Sequence, residues 1–593
     1  MEKRVADIVV ETLIECGVRD CFTVVGGGAM HLNNAFEINK RMNQTFCHHE
    51  QACAFAAEGY AKQCGKMAAV SVTSGPGAVN TLNGVYSAWV DSTPMIVIAG
   101  HPRYETTVEA SGLDLRCRGV QEFNIVPVAQ KMTKYAVMLK NPEMVRYEVK
   151  KACAIAMDGR RGPVWISIPL DVQAKKVDDK KLPEYKEEQK YVLNSEDVLT
   201  VLEKIKTSKR PCILTGSGLR TGNAMDLFYD FIEKVRIPIV GGALLSDILP
   251  ENHELYYGLS GNIGPRAGNY ILQNADLILV LANSMSNRQT GFNVEGFSPN
   301  AEIVMIDASE DEGKKPGLNI DTQIVCDVKS FLNVANKLID SNIYSSKEWV
   351  SYCEKVYSLL KDMDKPDHEE NCRVPSKYFW DAFRHKLPKD ASIALGNSNC
   401  VIGIFQLGVM EKNQRVVTNY NAGSMGYDLP EAVGMAVASG EEVYCVTGDG
   451  SIMMNLQEME TIKYNNLPIK IIVFSNDGYG AIRQTCKNYF DGVYTGCDKN
   501  SGVDFPKFKD IAKTFGFKYI HCEKCSEVEE SINELIFSKG NVVLEVDQLI
   551  DDPVFPKVMS KLKEDGTFET PTLIDMFPFL NDEILKEITL EEK

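Results

Sequence analysis

Gly448-Asp449-Gly450-Ser451 closes an apolar run, Val443-Tyr444-Cys445-Val446. Asn476-Asp477-Gly478 follows 27 residues after Asp449, at the end of a second run, Ile469 to Phe474. Two such runs with a helical length between them make a strand–helix–strand unit. The carboxyl ends of parallel strands share one rim, where ligands collect. Asp449 and Asn476 are therefore expected on that rim together. A carboxylate oxygen, an amide oxygen and a nearby main-chain carbonyl, that of Gly478, are hard oxygen ligands. They leave room for two diphosphate oxygens and a water, the octahedral set that Mg²⁺ takes at about 2.0–2.1 Å. The glycines on either side of Asp449 let the main chain approach a phosphate closely. Gly-Asp-Gly alone also suits a tight turn after a strand; the asparagine at this spacing favours the metal.

The elements that hold such a rim are legible along the chain. Its 593 residues and 44% apolar content suit a large globular protein of several domains. Short β-rich apolar runs alternate with helical lengths in three stretches. They are Ala68–Val72, Met95–Ala99 and Val164–Ile168; then Cys212–Thr215, Leu277–Leu281 and Ile303–Ile306; then Val443–Val446, Ile469–Phe474 and Val542–Val546. This alternation predicts an α/β fold of three doubly wound parallel-sheet domains. Two charged, proline-bearing segments, Asp178–Lys190 and Lys361–Pro375, read as solvated linkers. The expected domains are 1–180, 190–350 and 370–555, with a tail over 556–593 placed to cover the pocket.

A net charge of −17 argues against a nucleic-acid or anionic-membrane partner. No apolar run approaches the roughly 20 residues of a membrane span. The opening Met-Glu-Lys-Arg-Val-Ala-Asp lacks the apolar centre of a signal peptide. Seventeen scattered cysteines point to a reducing cytoplasm. Cys522 and Cys525 are closely spaced but lack a second such pair, so they read as structural rather than as zinc ligands.

The first third of the chain supplies a second group. His48-His49-Glu50-Gln51 opens a small-residue helical stretch, Ala52 to Ala61. A Glu at a helix start ordinarily offsets the helix dipole; small neighbours also let a main chain or a ring pack against this one. Thr73-Ser74-Gly75-Pro76-Gly77-Ala78-Val79-Asn80 is a Gly/Pro-rich turn after a strand. The last third holds Gly396-Asn397-Ser398-Asn399 and Gly423-Ser424-Met425-Gly426-Tyr427-Asp428. Together with the Asp449 and Asn476 segments, these resemble the thiamine-diphosphate (ThDP) enzyme superfamily, in complete order over roughly residues 1 to 555.

The resemblance implies a pyrimidine-binding, a central and a diphosphate-binding domain. It implies that Glu50 hydrogen-bonds the cofactor's pyrimidine and sets the tautomer that removes the thiazolium proton. Such a role needs a mostly buried carboxyl group beside a ring nitrogen. Implied cofactor contacts are Glu50, Thr73, Gly75, Asn80, Asn397, Ser398, Asn399, Ser424, Met425, Gly448, Asp449, Gly450, Ser451 and Tyr479. Asp449, Asn476 and Gly478 are the implied Mg²⁺ ligands. Met425 would wedge between the two cofactor rings; ordinary core filling is the other use of such a residue. The family usually has an Asn where this chain has Ser475, which leaves Asn476 in place.

Within the superfamily the acetolactate synthase (acetohydroxyacid synthase) group is most similar. Gln121 lies where that group has an active-site Gln. Asn287-Arg288-Gln289-Thr290-Gly291 resembles the segment whose Arg grips the acceptor's carboxylate, a task for a planar bidentate fork; a surface ion pair is the alternative. Glu50, Gln121, Arg288 and Met425 are thus the implied catalytic set. Pyruvate decarboxylases carry paired histidines before the Gln121 position, whereas none of the eight histidines here lies between His101 and His253. Their loss favours attack on a second carbonyl over protonation. The implied function is a ThDP- and Mg²⁺-dependent decarboxylating carboligase taking a two-carbon unit from pyruvate. A 2-oxo acid decarboxylase, a C–C hydrolase or a non-catalytic scaffold relative are the alternatives. Ala481 and Thr485 stand where acetolactate synthases have Met and Trp, and Val120 where they have Phe. The wider pocket suggests a bulkier acceptor, such as a keto sugar, since a small 2-oxo acid would leave contacts unmade. The family also implies a two-fold homodimer or a homotetramer. FAD in the central domain stays open: Gly216-Ser217-Gly218, Gly261-Asn262-Ile263-Gly264 and Ile306-Asp307 lie at the corresponding places, and each suits a plain turn equally.

Overall fold

The computed structural model of the chain describes residues 2–187, 193–339, 346–364, 368–563 and 565–590. The apolar runs become three six-stranded sheets. Continuous Val/Ile/Leu stretches suit strands covered on both faces, which is the setting of parallel sheets.

The first sheet comprises β1 (Asp20–Thr23), β2 (Asn43–Phe46), β3 (Ala68–Val72), β4 (Met95–His101), β5 (Tyr135–Met138) and β6 (Val164–Pro169), in the order β2-β1-β3-β4-β6-β5. The second has β7 (Pro211–Thr215), β8 (Ile239–Gly241), β9 (Tyr256–Leu259), β10 (Leu277–Leu281), β11 (Glu302–Asp307) and β12 (Thr322–Val325), ordered β9-β8-β7-β10-β11-β12. The third has β13 (Ser392–Leu395), β14 (Arg415–Thr418), β15 (Val443–Gly448), β16 (Ile469–Ser475), β17 (Lys518–Cys522) and β18 (Val542–Asp547), ordered β14-β13-β15-β16-β18-β17. All three sheets are parallel, as the doubly wound reading expects. The first and third share one strand order; the middle one differs.

Each sheet has a point where successive connections leave in opposite directions, and a crevice opens there at the carboxyl ends of the strands. In the third sheet it falls between β13 and β15. Register pairs Val443 with Ile469 and Gly448 with Phe474. The residues that follow, Asp449 and Asn476, therefore emerge side by side. In the central sheet the crevice falls between β7 and β10.

Two helices join the first and third domains. α1 (Glu50–Cys64) follows β2, and α3 (Asp428–Ser439) follows β14; between them in sequence, α2 (Pro76–Val90) follows β3. Small residues let α1 and α3 touch main chain to main chain. A side chain on Gly59 would run into the Glu431 carbonyl, and one on Gly434 into that of Ala56.

The described residues of the two expected linkers are mostly exposed, with a few tied into the fold. Asp178 ends a strand, Lys176–Asp178, that pairs antiparallel with Glu2–Arg4. Asp179 binds Arg146 at 2.6 Å and Lys3 at 3.2 Å. Residues 188–190 lie outside the described residues. In the second segment Asp364 pairs with Arg266 at 2.7 Å, and Val374 bridges to Gln548; residues 365–367 lie outside the described residues. Lys180, Lys181, Lys186, Glu187, Lys361, Asp362, Glu369 and Glu370 stay exposed. The tail runs along the central domain, with Val558 N–H donating to the Asn262 carbonyl at 2.8 Å and the Asn269 amide donating to the Leu573 carbonyl at 3.1 Å. It reaches the third domain through Lys557, whose amine donates to Gln484 Oε1 at 3.4 Å.

Candidate active site

The rim of the third sheet is organised by one carboxylate. Asp449 Oδ2 accepts the main-chain N–H of Asn476 at 3.0 Å and of Gly478 at 3.2 Å, and Oδ1 accepts that of Gly450 at 2.7 Å. Burial pushes its carboxyl up to about 6 despite these donors. Asn476 is also buried; its amide N–H donates to Gln548 Oε1 at 3.1 Å, and its Oδ1 has no partner. A buried amide oxygen left without a donor is costly. Gly478 has φ 150°, and a side chain there would strike the Cys497 carbonyl. A side chain at Gly450 would strike the Tyr479 ring. The result is a concave loop with one carboxylate and one unsatisfied oxygen.

Two residues that the sequence reading missed hold this loop. Asp428, fully buried, accepts from Thr447 Oγ1 at 2.8 Å and Ser451 Oγ at 2.6 Å, and Ser451 Oγ in turn accepts from Gly426 N–H at 2.9 Å. It thereby fixes Met425 and Gly426 against the Asp449 turn. Arg483, in α4 (Gly480–Tyr489), is buried and donates to the Asn476 carbonyl and the Ile550 carbonyl, each at 2.8 Å. A lone Asp or Arg in a helical stretch carries no motif; what the sequence did offer was Asp428 directly after Gly426-Tyr427.

Asn397 donates to the Gly423 carbonyl at 2.9 Å, which places the loop after β13 beside the Met425 loop. Ser398 has φ 65° and stands at the N-cap position of the helix Asn399–Leu407, without a side-chain cap bond. The loops carrying Asn397, Ser398, Asn399, Ser424, Met425, Gly448, Asp449, Gly450, Ser451, Asn476, Gly478 and Tyr479 are thus gathered on one rim.

The first domain gathers the second group. Glu50 is the first residue of α1, and its Oε2 accepts from the Asn80 amide at 3.1 Å. Gly77 leaves room beside it: a Cβ there would lie 3.1 Å from Glu50 Oε1. Thr73 Oγ1 accepts from Gly28 N–H at 3.0 Å. Gly75 has φ 57°, and a Cβ on it would lie 2.6 Å from the carbonyl oxygen of Gln121. Gln121 itself is exposed with φ 56°, a conformation that non-glycine residues adopt sparingly. Hydrogen bonds link the two groups within the chain. Asn455 donates to Gln51 Oε1 at 3.2 Å and to the Gly426 carbonyl at 2.7 Å, and Ser424 Oγ donates to Asn83 Oδ1 at 3.3 Å.

Arg288, in the helix Asn287–Thr290 of the central domain, reaches the loop that leads to Met425. Its Nη1 donates to the Tyr420 carbonyl at 2.9 Å and its guanidinium lies 4.5 Å over the Tyr420 ring. It lines a cleft at the central crevice, with Gly216, Asn283, Asp307 and Arg160. Gly216-Ser217-Gly218 and Asp307 reach this cleft; Gly261 to Gly264 do not.

Among the described residues no group of three or more His, Cys, Asp or Glu stands ready to hold a metal. A site with a single carboxylate and an orphaned amide oxygen fits an ion that arrives with further oxygens, as a metal diphosphate does.

The family comparison agrees segment by segment. The model for the N-terminal TPP binding domain of thiamine pyrophosphate enzymes matches residues 3–125, that for the central domain 198–334 and that for the C-terminal TPP binding domain 396–546. The chain belongs to the thiamine pyrophosphate enzyme family. Among curated proteins this family member is 29% identical over 570 residues to acetolactate synthase 1, chloroplastic, of Zea mays, covering 94% of this chain and 87% of the relative. It is 29% identical over 569 residues to the acetolactate synthase isozyme 1 large subunit of Escherichia coli strain K12, covering 93% and 95%. The acetolactate synthase large subunit of Lactococcus lactis is 28% identical over 571 residues, covering 91% and 93%. The thiamine pyrophosphate enzyme described here is therefore acetolactate-synthase-like, and thiamine diphosphate is its cofactor. No helix among the described residues is long and apolar enough to cross a membrane.

Proposed function

We propose that this protein is a Mg²⁺- and ThDP-dependent carboligase that moves a two-carbon unit from pyruvate to a keto acceptor. The observation that carries the reading is the buried, partnerless Asn476 Oδ1 beside the Asp449 carboxylate. Asp449, Asn476 and the Gly478 carbonyl would hold Mg²⁺ on the diphosphate, and Gly450 and Tyr479 would shape its cradle. When bound, thiamine diphosphate supplies a cationic ring that serves as electron sink during decarboxylation. Glu50, steadied by Asn80, would hold a proton at the pyrimidine ring. Met425, fixed through Asp428, would set the angle between the cofactor's rings. Gln121 would face the substrate.

The acceptor is inferred to be larger than a 2-oxo acid. Ala481 and Thr485 are exposed on α4, the Thr485 hydroxyl donating to the Ala481 carbonyl at 3.0 Å, and Val120 is 87% exposed. All three leave space where the related synthases carry larger side chains. Arg288, next to the 420–423 loop, would meet a carboxylate on a smaller acceptor. Decarboxylation ending in proton or water capture is the second reading; the lack of histidines between His101 and His253 speaks against it.

Two further assignments belong to this reading. The central cleft, with glycines at Gly216 and Gly218 and a carboxylate at Asp307, has the phosphate-loop chemistry for FAD. A two-fold dimer, singly or doubled, would give exposed apolar residues such as Val25, Met30, Tyr86 and Met454 a partner to pack against. The test is pyruvate with ThDP and Mg²⁺, with and without keto sugars, followed by NMR. A new carbon–carbon bond to the added ketone supports the reading; aldehyde or acid alone rejects it. Purified protein without extractable flavin rejects FAD.

A further inference from the structure

Cys372 and Cys525 lie with their sulfurs 3.5 Å apart. Main-chain bonds hold their segments side by side. Cys525 N–H donates to the Cys372 carbonyl at 3.1 Å, and Ser526 N–H donates to the Glu370 carbonyl at 3.0 Å. Closing to a disulfide of about 2.05 Å asks for roughly 1.5 Å of approach, a short shift of the 372 strip toward Cys525. Cys372 is half-buried and reachable from solvent, whereas Cys525 is buried. Burial pushes the Cys525 thiol up to about 12, so it suits the second, resolving step better than the first.

The residues after Cys372 lead straight to the metal loop. Arg373 donates to the Ser475 carbonyl at 3.0 Å and pairs with Asp477 at 2.7 Å, the two neighbours of Asn476. Val374 N–H donates to the Asp547 carbonyl at 2.9 Å, and Leu549 N–H donates to the Val374 carbonyl at 3.0 Å. Gln548, between them, accepts the Asn476 amide at 3.1 Å. The strip 372–374 thus grips Asn476 through its main-chain neighbours and through its side-chain partner.

We propose that Cys372 and Cys525 form a reversible disulfide by exchange with a low-molecular-weight disulfide such as oxidised glutathione, and that this bond loosens the loop 475–478. The second half rests on Asn476 as a metal ligand. The Cys372 thiolate attacks one glutathione sulfur, forming a mixed disulfide and expelling a glutathione thiolate. Cys525 gives its proton to that thiolate, and its sulfur attacks the Cys372 sulfur. The second glutathione thiolate leaves and takes up the proton lost from Cys372. Two protein thiols are oxidised and one glutathione disulfide is reduced to two thiols. Drawing Cys372 toward Cys525 pulls Arg373 away from Ser475 and Asp477.

The full-length protein is poised over a series of glutathione ratios, alkylated and peptide-mapped, and Mg²⁺ is titrated with ThDP present. The expected result is a 372–525 cross-link that dithiothreitol reverses. The Mg²⁺ Kd of the linked protein should rise at least about fivefold, the lower end of ordinary coupling between sites. Cys525→Ala, or Cys372→Ser should the first fold poorly, should show neither change. Arg373→Met in reduced protein should reproduce the weaker Mg²⁺ binding, and Arg373→Lys should recover part of it. Cys525 staying alkylatable at every ratio, or Cys372 stopping at a glutathione adduct, overturns the disulfide. A cross-link with unchanged Mg²⁺ Kd overturns the coupling. Reduced wild type that binds no Mg²⁺ overturns the metal assignment instead and leaves the cross-link standing.

Discussion

Gly434 lies directly against the Ala56 carbonyl, where α3 crosses α1, and a single methyl group at 434 would overlap that oxygen. Neither partner can give way: one is main chain within a helix, the other the helix it packs on. This contact sets how close the third domain comes to the helix that carries Glu50. Gly434→Ala gains helix propensity but overpacks, so a loss of about 1–3 kcal/mol or more is expected. Thermal unfolding reads it. A change within about 0.5 kcal/mol, as at an ordinary surface site, would show that the helices can slide apart.

The same helix pair buries charge. Glu58 is fully buried, 2.7 Å from Lys62, which also binds Asp91 at 2.8 Å. Burial raises the Glu58 carboxyl from 4.5 to about 7, against the pull of Lys62. Folded protein therefore keeps a proton that the unfolded chain has released. The stability this group contributes is full below pH 4.5 and is lost as pH rises through 7. Glu58→Gln should flatten that part of the stability–pH curve by up to one proton's worth of slope. Denaturant melts between those pH values check this; an unchanged slope would mean that Glu58 is ionised in the fold.

Glu50→Gln keeps the shape at the start of α1 and the contact with Asn80 but cannot share a proton as a carboxylate does. A kcat loss of at least ~10²-fold is expected, within the range of general acid–base groups, with an unchanged circular dichroism spectrum. Normal turnover by the purified variant would remove Glu50 from the mechanism.

The acceptor pocket can be refilled. Thr485→Trp with Ala481→Met should cut kcat/KM for a bulky acceptor well over tenfold, since each methylene-sized misfit is worth about 1–3 kcal/mol. Pyruvate decarboxylation should persist. Arg288→Ala should harm a carboxylate acceptor more than an uncharged keto sugar. A wild type that condenses two pyruvates as well as any larger ketone, together with a silent Trp variant, would make the acceptor a second pyruvate.

The sheets and the rim were legible because they rest on patterns that repeat: apolar strand runs, helical lengths between them, and glycines at close approaches. Asp449 and Asn476 were legible because their spacing fits one strand–helix–strand unit. Asp428, Arg483 and Gln548 were not, since each is a single polar residue whose use depends on which loop folds beside it. The contacts of one linker segment were hidden for a related reason. Lys361–Pro375 has a linker's composition, yet Asp364 and Arg373 find partners 98 and 104 residues away in sequence. The reach of Arg288 toward Tyr420 is likewise a fact of domain packing, invisible from its own helix.

The central claim is that Asp449 and Asn476 hold the metal that binds the cofactor. Isothermal titration of ThDP with Mg²⁺ into wild type, Asp449→Ala and Asn476→Ala tests it directly. Wild type should bind; Asp449→Ala should lose binding at micromolar cofactor, because a charged ligand is gone; Asn476→Ala should bind more weakly than wild type yet measurably, because the lost ligand is neutral. Unchanged affinity in both variants would contradict the account.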